Sequence, residues 1–277
     1  MKWIIEHYGA KMDTLVAAAK GQGHEVVEVI AKSYFEFDKS LVKENECVIF
    51  QGSIDLTRKM KDYIPTCYPI NWNNWKAFEC TSYYPALGKH LFNDRYAMVS
   101  VAELMRQKWF YYHTFAKDTT MFVRPNDGDK SFTGQLIDLI NFDTFWTNKI
   151  SSIAKMEDLV VVSTPKNIKG EYRFVVSKKG IIAGSCYNYQ GNFTPIPGTP
   201  QGAIDKCNEI LSEGYYPDPV FVIDICEDND GKYWLLELGS FSSSGLYACD
   251  VNKIVKEVSA IAQAEYDTHM IQKTVPL

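Results

Sequence analysis

The sequence predicts an α/β lobe at the N-terminus followed by an α+β unit built on antiparallel hairpins. Two observations predict it. Short β-prone runs alternate with a helical-period segment over the first 75 or so residues. From about residue 120 the rhythm changes to paired apolar runs joined by short polar turns.

In the first lobe, KWIIEH (2–7) reads as a strand. Met12, Leu15, Val16 and Ala19 fall at helical spacing over 11–20, ended by Gly21 and Gly23. EVVEVI (25–30), CVIF (47–50) and YPINW (68–72) read as further strands, with a helix at Ile54–Lys61. Strand–helix–strand order implies parallel pairing through right-handed crossovers. Residues 76–99 read as an aromatic, irregular connector. Ser100-Val101-Ala102-Glu103 is a capping box, and its helix would carry Leu104, Met105, Lys108, Trp109 and Tyr112 on one stripe.

The second unit begins with MFVRP (121–125), the polar loop NDGDKSFTG (126–134) and DLVVVS (158–163). EYRFVVS (171–177) and IIAGSCYNY (181–189) flank a Lys-Lys-Gly turn. A helix near 200–213 has Thr199 as its expected cap, Pro200 in its first turn and Gly214 as terminator. PVFVIDICE (219–227) and KYWLLEL (232–238) pair around DNDG. The last helix sets Val251, Ile254, Val255, Val258, Ile261 and Ala262 on one face. The expected domains are 1–95 and 96–277.

Composition narrows the function. The 277 residues carry a net charge of −5, so no broad basic surface is implied and nucleic-acid binding is disfavoured. No apolar run reaches the ~18 residues of a membrane span, and Glu6 interrupts any signal-peptide core. Seven widely spaced cysteines without CxxC argue for buried thiols in a reducing compartment, hence a cytoplasmic location.

Four segments could carry chemistry. With Asp230-Gly231 as a two-residue turn, Asp224 sits directly opposite Glu237. Facing carboxylates inside an apolar hairpin repel, and a bound cation relieves them; Mg²⁺ prefers such a pair together with phosphate oxygens. A three-residue loop would instead separate the two faces, so spacing alone leaves metal binding and a solvent-edge carboxylate both open. VRPNDGDKSFTG joins Arg124 to a loop with Lys130 that can offer N–H groups to phosphate, or it is a surface hairpin. Glu171 and Arg173 share a strand face, as a solvated ion pair or as a guanidinium aimed at a transferring phosphoryl group. SFSSSGLYACD (240–250) is a cap and turn, or a source of hydroxyls for a ligand. Gly52-Ser53 and Asn71-Trp72-Asn73-Asn74 lie at strand ends of the first lobe, as a pocket wall or as plain turns.

FVRPNDGDKSFTG, VVVS, EYRFVVSKKGIIAGSCY and VIDICEDNDGKYWLLELGSFSSSGLYACD, in that order, resemble the ATP-grasp superfamily. The likeness is to a compact bacterial and phage subgroup with Arg in place of the usual first Lys. The resemblance implies two α+β subdomains clasping ATP and Mg²⁺ between antiparallel sheets, behind a smaller α/β lobe. It places Arg124 on the phosphates, and Asp129, Lys130 and Ser131 in a loop closing over them. Val161, Val162 and Ser163 would read the adenine edge. Glu171 would help bind the nucleotide, Arg173 would stabilise the phosphoryl group, and Asp224 and Glu237 would hold Mg²⁺. Where relatives have Glu-x-Asn, this sequence has Glu237-Leu238-Gly239, which either removes a second Mg²⁺ or shifts its ligation to Ser240, Ser242 or water. Lys155 and Lys166 are the candidates for a second phosphate-binding lysine. The implied reaction joins a carboxylate, from a small molecule or peptide, to an amine acceptor through an acyl-phosphate, with Arg173 and Lys130 as catalytic groups. The alternatives are a kinase on the same fold and a non-catalytic nucleotide-binding regulatory or immunity module. Substrate identity and oligomeric state are not legible.

Overall fold

The computed structural model describes residues 1–7, 12–30, 36–150 and 154–274. β1 (Lys2–Glu6), α1 (Met12–Gly21), β2 (Glu25–Val29), β3 (Cys47–Gln51), α2 (Ile54–Tyr63) and β4 (Tyr68–Ile70) build the first lobe. Its sheet is parallel throughout, in the order β2-β1-β3-β4. β1 is apolar on both faces because both faces are covered. Trp3 and Ile5 join one core, and Ile4 joins another with Leu56 and Met60 of α2. The first position of the expected helix at 11–20 lies outside the described residues.

The stretch expected to be an irregular connector contains α3 (Cys80–Leu87) and β5 (Tyr96–Ser100). The aromatics that obscure a helical period are core residues: Tyr83 and Tyr84 of α3 are essentially fully buried. α4 (Val101–Arg106) starts on the expected cap, where the Ser100 hydroxyl accepts the Glu103 N–H at 3.2 Å. Glu103 turns to Arg106 instead of back to Ser100, so half of the box forms. The helix then breaks at Gln107, and α5 (Lys108–Phe115) resumes with a rotated face. Tyr111 and Phe115 are therefore buried, whereas Trp109, expected on the apolar stripe, is exposed.

β6 (Thr120–Pro125), β7 (Gln135–Asp138), α6 (Phe142–Ile150) and β8 (Leu159–Ser163) complete a second sheet, ordered β5-β8-β6-β7 and antiparallel. The third sheet, also antiparallel, runs β11-β10-β9-β12-β13. It comprises β9 (Gly170–Ser177), β10 (Gly180–Tyr189), β11 (Asn192–Pro197), β12 (Val220–Glu227) and β13 (Tyr233–Ser240). β11 has two prolines, which an edge strand tolerates. α7 (Gln201–Ser212) is capped by Pro200, not by the expected Thr199, and stops before Gly214 at φ 77°. α8 (Val251–Thr274) closes the chain.

One core holds the lobes together. Trp3, Ile5, Leu15 and Ile49 pack with Val175 and Val222 of the third sheet and with Ile254, Val255, Val258 and Ala262 of α8. The opposite face of the third sheet carries Tyr172, Phe174 and Ile223 into a core with α3 and α7. All seven cysteines are buried and unpaired, as their spacing predicts. Among the described residues no helix is long and apolar enough to cross a membrane.

Candidate functional site

Arg173, Asp224 and Glu237 stand in one row across three adjacent strands: Arg173 pairs with Asp224, and Asp224 with Glu237. Ser185 of β10 extends the row on the other side of Arg173. The expected opposition of Asp224 and Glu237 is therefore present, but not for the expected reason. The hairpin is closed by a three-residue turn: Asp228 N–H bonds to Lys232 O, and Gly231 adopts φ 77°. Near the turn Ile225 faces Leu235, one residue out of step with the Asp224–Glu237 pair. A β-bulge at Leu236 absorbs the offset. The bulge also lets Leu235 and Leu238, three apart, enter the same core.

The row is closely neutralised. Arg173 donates Nε and Nη2 to the two Asp224 oxygens at 2.8 and 2.6 Å, and Nη1 to Gly245 O at 2.9 Å. Tyr247 and Tyr187 stack on each other at 4.6 Å, and the Arg173 guanidinium lies 4.7 Å from the Tyr247 ring centre. Burial would lower the Arg173 pKa, but Asp224 holds it well above its ordinary value. Burial pushes the Asp224 carboxyl up and Glu237 adds to that, against the pull of Arg173.

Glu237 takes the other cations. Lys130 Nζ donates to its Oε1 at 2.5 Å and Arg124 Nη2 to its Oε2 at 3.3 Å. Arg124 reaches across from the second sheet, where it shares a face with Val161, and also donates to Leu236 O at 3.4 Å. Burial would raise the Glu237 pKa; Lys130 and then Arg124 overcome it and hold the carboxyl down at about 2. Glu171, one step along β9, accepts from Tyr187 OH at 2.8 Å and Asn188 Nδ2 at 2.7 Å. Burial, with Asp224 and Glu237 nearby, raises its pKa.

The loop at 126–134 behaves in two parts. Lys130, at φ 55°, turns into the row. Asp129 turns the other way and pairs with Arg58 of α2, while the Ser131 N–H is taken by Asp127 at 3.0 Å. A 580 Å³ cavity opens between this loop, Ser53 and Arg58 at the start of α2, and Ser243. Gly52–Ser53 thus meet the site through Ser53, but Asn71–Asn74 line a different cleft.

Several expected positions lie apart from the row. Val161, Val162 and Ser163 lie in a central strand paired on both sides, so their backbone is engaged in the ladder and the linker begins at Thr164. Ser240 donates to Trp72 O and Ser242 accepts from Trp72 N–H, so both point to the first lobe. Ser244 is the serine beside Gly239: a Cβ there would lie 3.4 Å from Ser244 Oγ and 3.1 Å from Val222 Cγ2. Lys166 sits in the linker on Asp94 and Phe92 O, and Lys155 lies in the turn before β8. Neither joins the row.

Ser244 and Tyr247 belong to the segment 240–250 singled out above, whereas Tyr187 and Arg58 carry no signal of a site in the sequence. Tyr187 sits at a register shift in β10, where simple alternation fails. Arg58 of α2 reaches the site through the tertiary fold, and no local pattern marks it.

The two antiparallel sheets, one bearing the cation–carboxylate row and the other sending Arg124 and Lys130 toward it, make up an ATP-grasp fold. The family model "ATP-grasp domain, R2K clade family 2" matches residues 102–257, and the chain belongs to that family. Solved structures share the fold. D-cycloserine synthetase DcsG aligns with TM-score 0.63 and 12% identity over 95% of this chain and 100% of its own. N5-carboxyaminoimidazole synthetase from Staphylococcus aureus, complexed with ADP, gives TM-score 0.58 and 11% identity over 94% of this chain and 76% of its own. The ATP-grasp ligase PsnB, complexed with a minimal precursor, Mg and ADP, gives 0.53 and 12% over 95% of this chain and 98% of its own. No curated protein matches the sequence.

Proposed function

We propose that this chain is an ATP-dependent carboxylate–amine ligase that works through an acyl-phosphate and releases ADP and phosphate. The observation that supports it most is the row Arg173–Asp224–Glu237 with Arg124 and Lys130 on Glu237. Three cations and two carboxylates meet where the two sheets approach each other. PsnB, with the same fold, is described with Mg and ADP.

The donor set fits Mg²⁺ and a nucleotide. Asp224 and Glu237 face each other, yet no group of three or more His, Cys, Asp or Glu occurs among the described residues that could hold a metal alone. Mg²⁺ would complete its shell with phosphate oxygens and water, and it supplies charge neutralisation of the phosphates. Lys130 and Arg124 would leave Glu237 for the phosphate oxygens, freeing its carboxylate for the metal. Arg173, fixed by Asp224, Gly245 O and Tyr247, would hold charge on the transferring phosphoryl group. The loop at 126–134 would keep water from the acyl-phosphate. The cavity beside Ser53, Arg58 and Ser243 is where a substrate carboxylate would approach. The amine then displaces phosphate.

The test is ADP and phosphate release from ATP and Mg²⁺ across paired pools of acids and amines. ADP with free phosphate and a dehydrated conjugate supports ligation. Phosphate retained on the acceptor would make it a kinase, and nucleotide binding without ADP formation a non-catalytic module.

A further inference from the structure

The turn at 240–245 is fastened to the first lobe. Trp72 N–H donates to Ser242 Oγ at 3.0 Å, Gly52 N–H to Ser242 O at 2.9 Å, and Thr57 Oγ1 to the same carbonyl at 3.3 Å. Gln51, the last residue of β3, donates Nε2 to Ser244 O at 2.7 Å. The next carbonyl along the chain, Gly245 O, is the one that receives Arg173 Nη1 at 2.9 Å. Two consecutive carbonyls therefore join a first-lobe amide to the guanidinium of the row.

Gln51 stands out in its surroundings. β3 is apolar up to that position, and Gln51 is fully buried. The bond to Ser244 O fixes its amide, because the flipped form would set oxygen against oxygen. Its Oε1 has no partner, and a buried acceptor left unpaired is costly. An apolar side chain of similar length would avoid that cost. What the amide supplies and such a side chain could not is the bond to Ser244 O.

We infer that Gln51 is a positioning residue for Arg173. Asp224 holds the guanidinium by Nε and Nη2, and Nη1 rests on the turn. By holding Ser244 O, Gln51 sets Gly245 O against Nη1, and sets Tyr247, two residues on, with its ring 4.7 Å from the guanidinium. A charged group is only as precise as the bonds behind it. The consequence for catalysis rests on the reading of Arg173 as the group that stabilises the transferring phosphoryl.

The test is Gln51→Met, with Gln51→Leu as a second apolar variant. The chain has five arginines, so a side-chain NMR spectrum of ¹⁵N-arginine-labelled protein resolves Arg173, identified by the signals lost in Arg173→Lys. In Gln51→Met the Arg173 signals shift and exchange with solvent faster, while those of Arg124 stay in place. Affinity for Mg–ADP with aluminium fluoride, which mimics the transferring phosphoryl, falls about threefold to tenfold, the worth of one hydrogen bond. Affinity for Mg–AMPPNP and the thermal midpoint are kept, whereas a merely structural residue would lower all three together. Unmoved Arg173 signals overturn the inference, as does failure of both variants to fold. If the Arg173 signals move but aluminium fluoride adds nothing to ADP binding in the unmodified chain, the positioning stands and the phosphoryl role of Arg173 falls.

Discussion

Asp224 and Glu237 face each other across β12 and β13 because two departures from ideal hairpin geometry cancel. The three-residue turn shifts the pairing by one, and the bulge at Leu236 shifts it back. A regular strand after that turn would put Glu237 on the opposite face, into the core that receives Leu235 and Leu238. The bulge thus carries the site, and it also places Leu236 O where Arg124 can bond to it.

Glu237 couples the site to acid stability. Its carboxyl is held from an ordinary 4.5 down to about 2 by Lys130 and Arg124, against the opposing effect of burial. A depressed carboxyl contributes stability that is present above about pH 4.5 and lost as pH falls toward 2. Thermal unfolding should therefore show a decline over that window in the unmodified chain. Glu237→Gln should flatten that part of the profile and lower stability near neutrality, because it leaves two cations without their counter-charge. The same substitution should abolish ADP release; undiminished turnover would remove Glu237 from the metal site.

Arg124 should resist exchange for lysine. Its planar guanidinium reaches Glu237 Oε2 and Leu236 O from two separate nitrogens, whereas a lysine carries all its donors on one nitrogen and would not match both positions. Arg124→Lys is expected to weaken ATP binding by about tenfold, the loss of one charge-assisted bond, while keeping the fold. Fluorescence titration with a labelled ATP analogue, alongside thermal unfolding, separates the two effects.

The sequence makes the strands and helices legible where apolar period and turn residues agree, as at β1, α2, β9 and β12. It also makes Arg124, Lys130, Arg173, Asp224 and Glu237 legible as charged residues that sit in or beside apolar strands. What it hides is set by tertiary contacts. α3 is a buried aromatic helix without a polar stripe, so period carries no signal there. β11 is an exposed proline-bearing edge strand whose pairing with β10 alone defines it. The direction of Asp129 depends on Arg58, some seventy positions away. The roles of Ser240 and Ser242 depend on Trp72, which no local pattern brings beneath them.

α8 should be a shared support and not an appendage. Ile254 is fully buried between the first lobe and the third sheet. Ile254→Ala should cost about 2–5 kcal/mol, the range for an emptied isoleucine site in a packed core. Because Trp3 and Val222 border the same core, denaturant unfolding followed by Trp fluorescence and by circular dichroism should shift together. A first lobe that kept its midpoint would show that α8 stabilises only the third sheet.

Gly239 should tolerate a side chain poorly. An added Cβ would meet Val222 Cγ2 at 3.1 Å, closer than ordinary contact, and would come within 3.4 Å of Ser244 Oγ. Val222 is itself 1% exposed and has little room to give. Gly239→Ala is therefore expected to cost about 1–3 kcal/mol as overpacking, read as a fall in denaturant midpoint at unchanged slope. Val222→Ala added to it should return part of that loss, since the two groups share one space. If the double variant instead loses the sum of the two single effects, the contact with Val222 is not what makes glycine necessary here. Ser244→Gly combined with Gly239→Ala then tests the remaining neighbour.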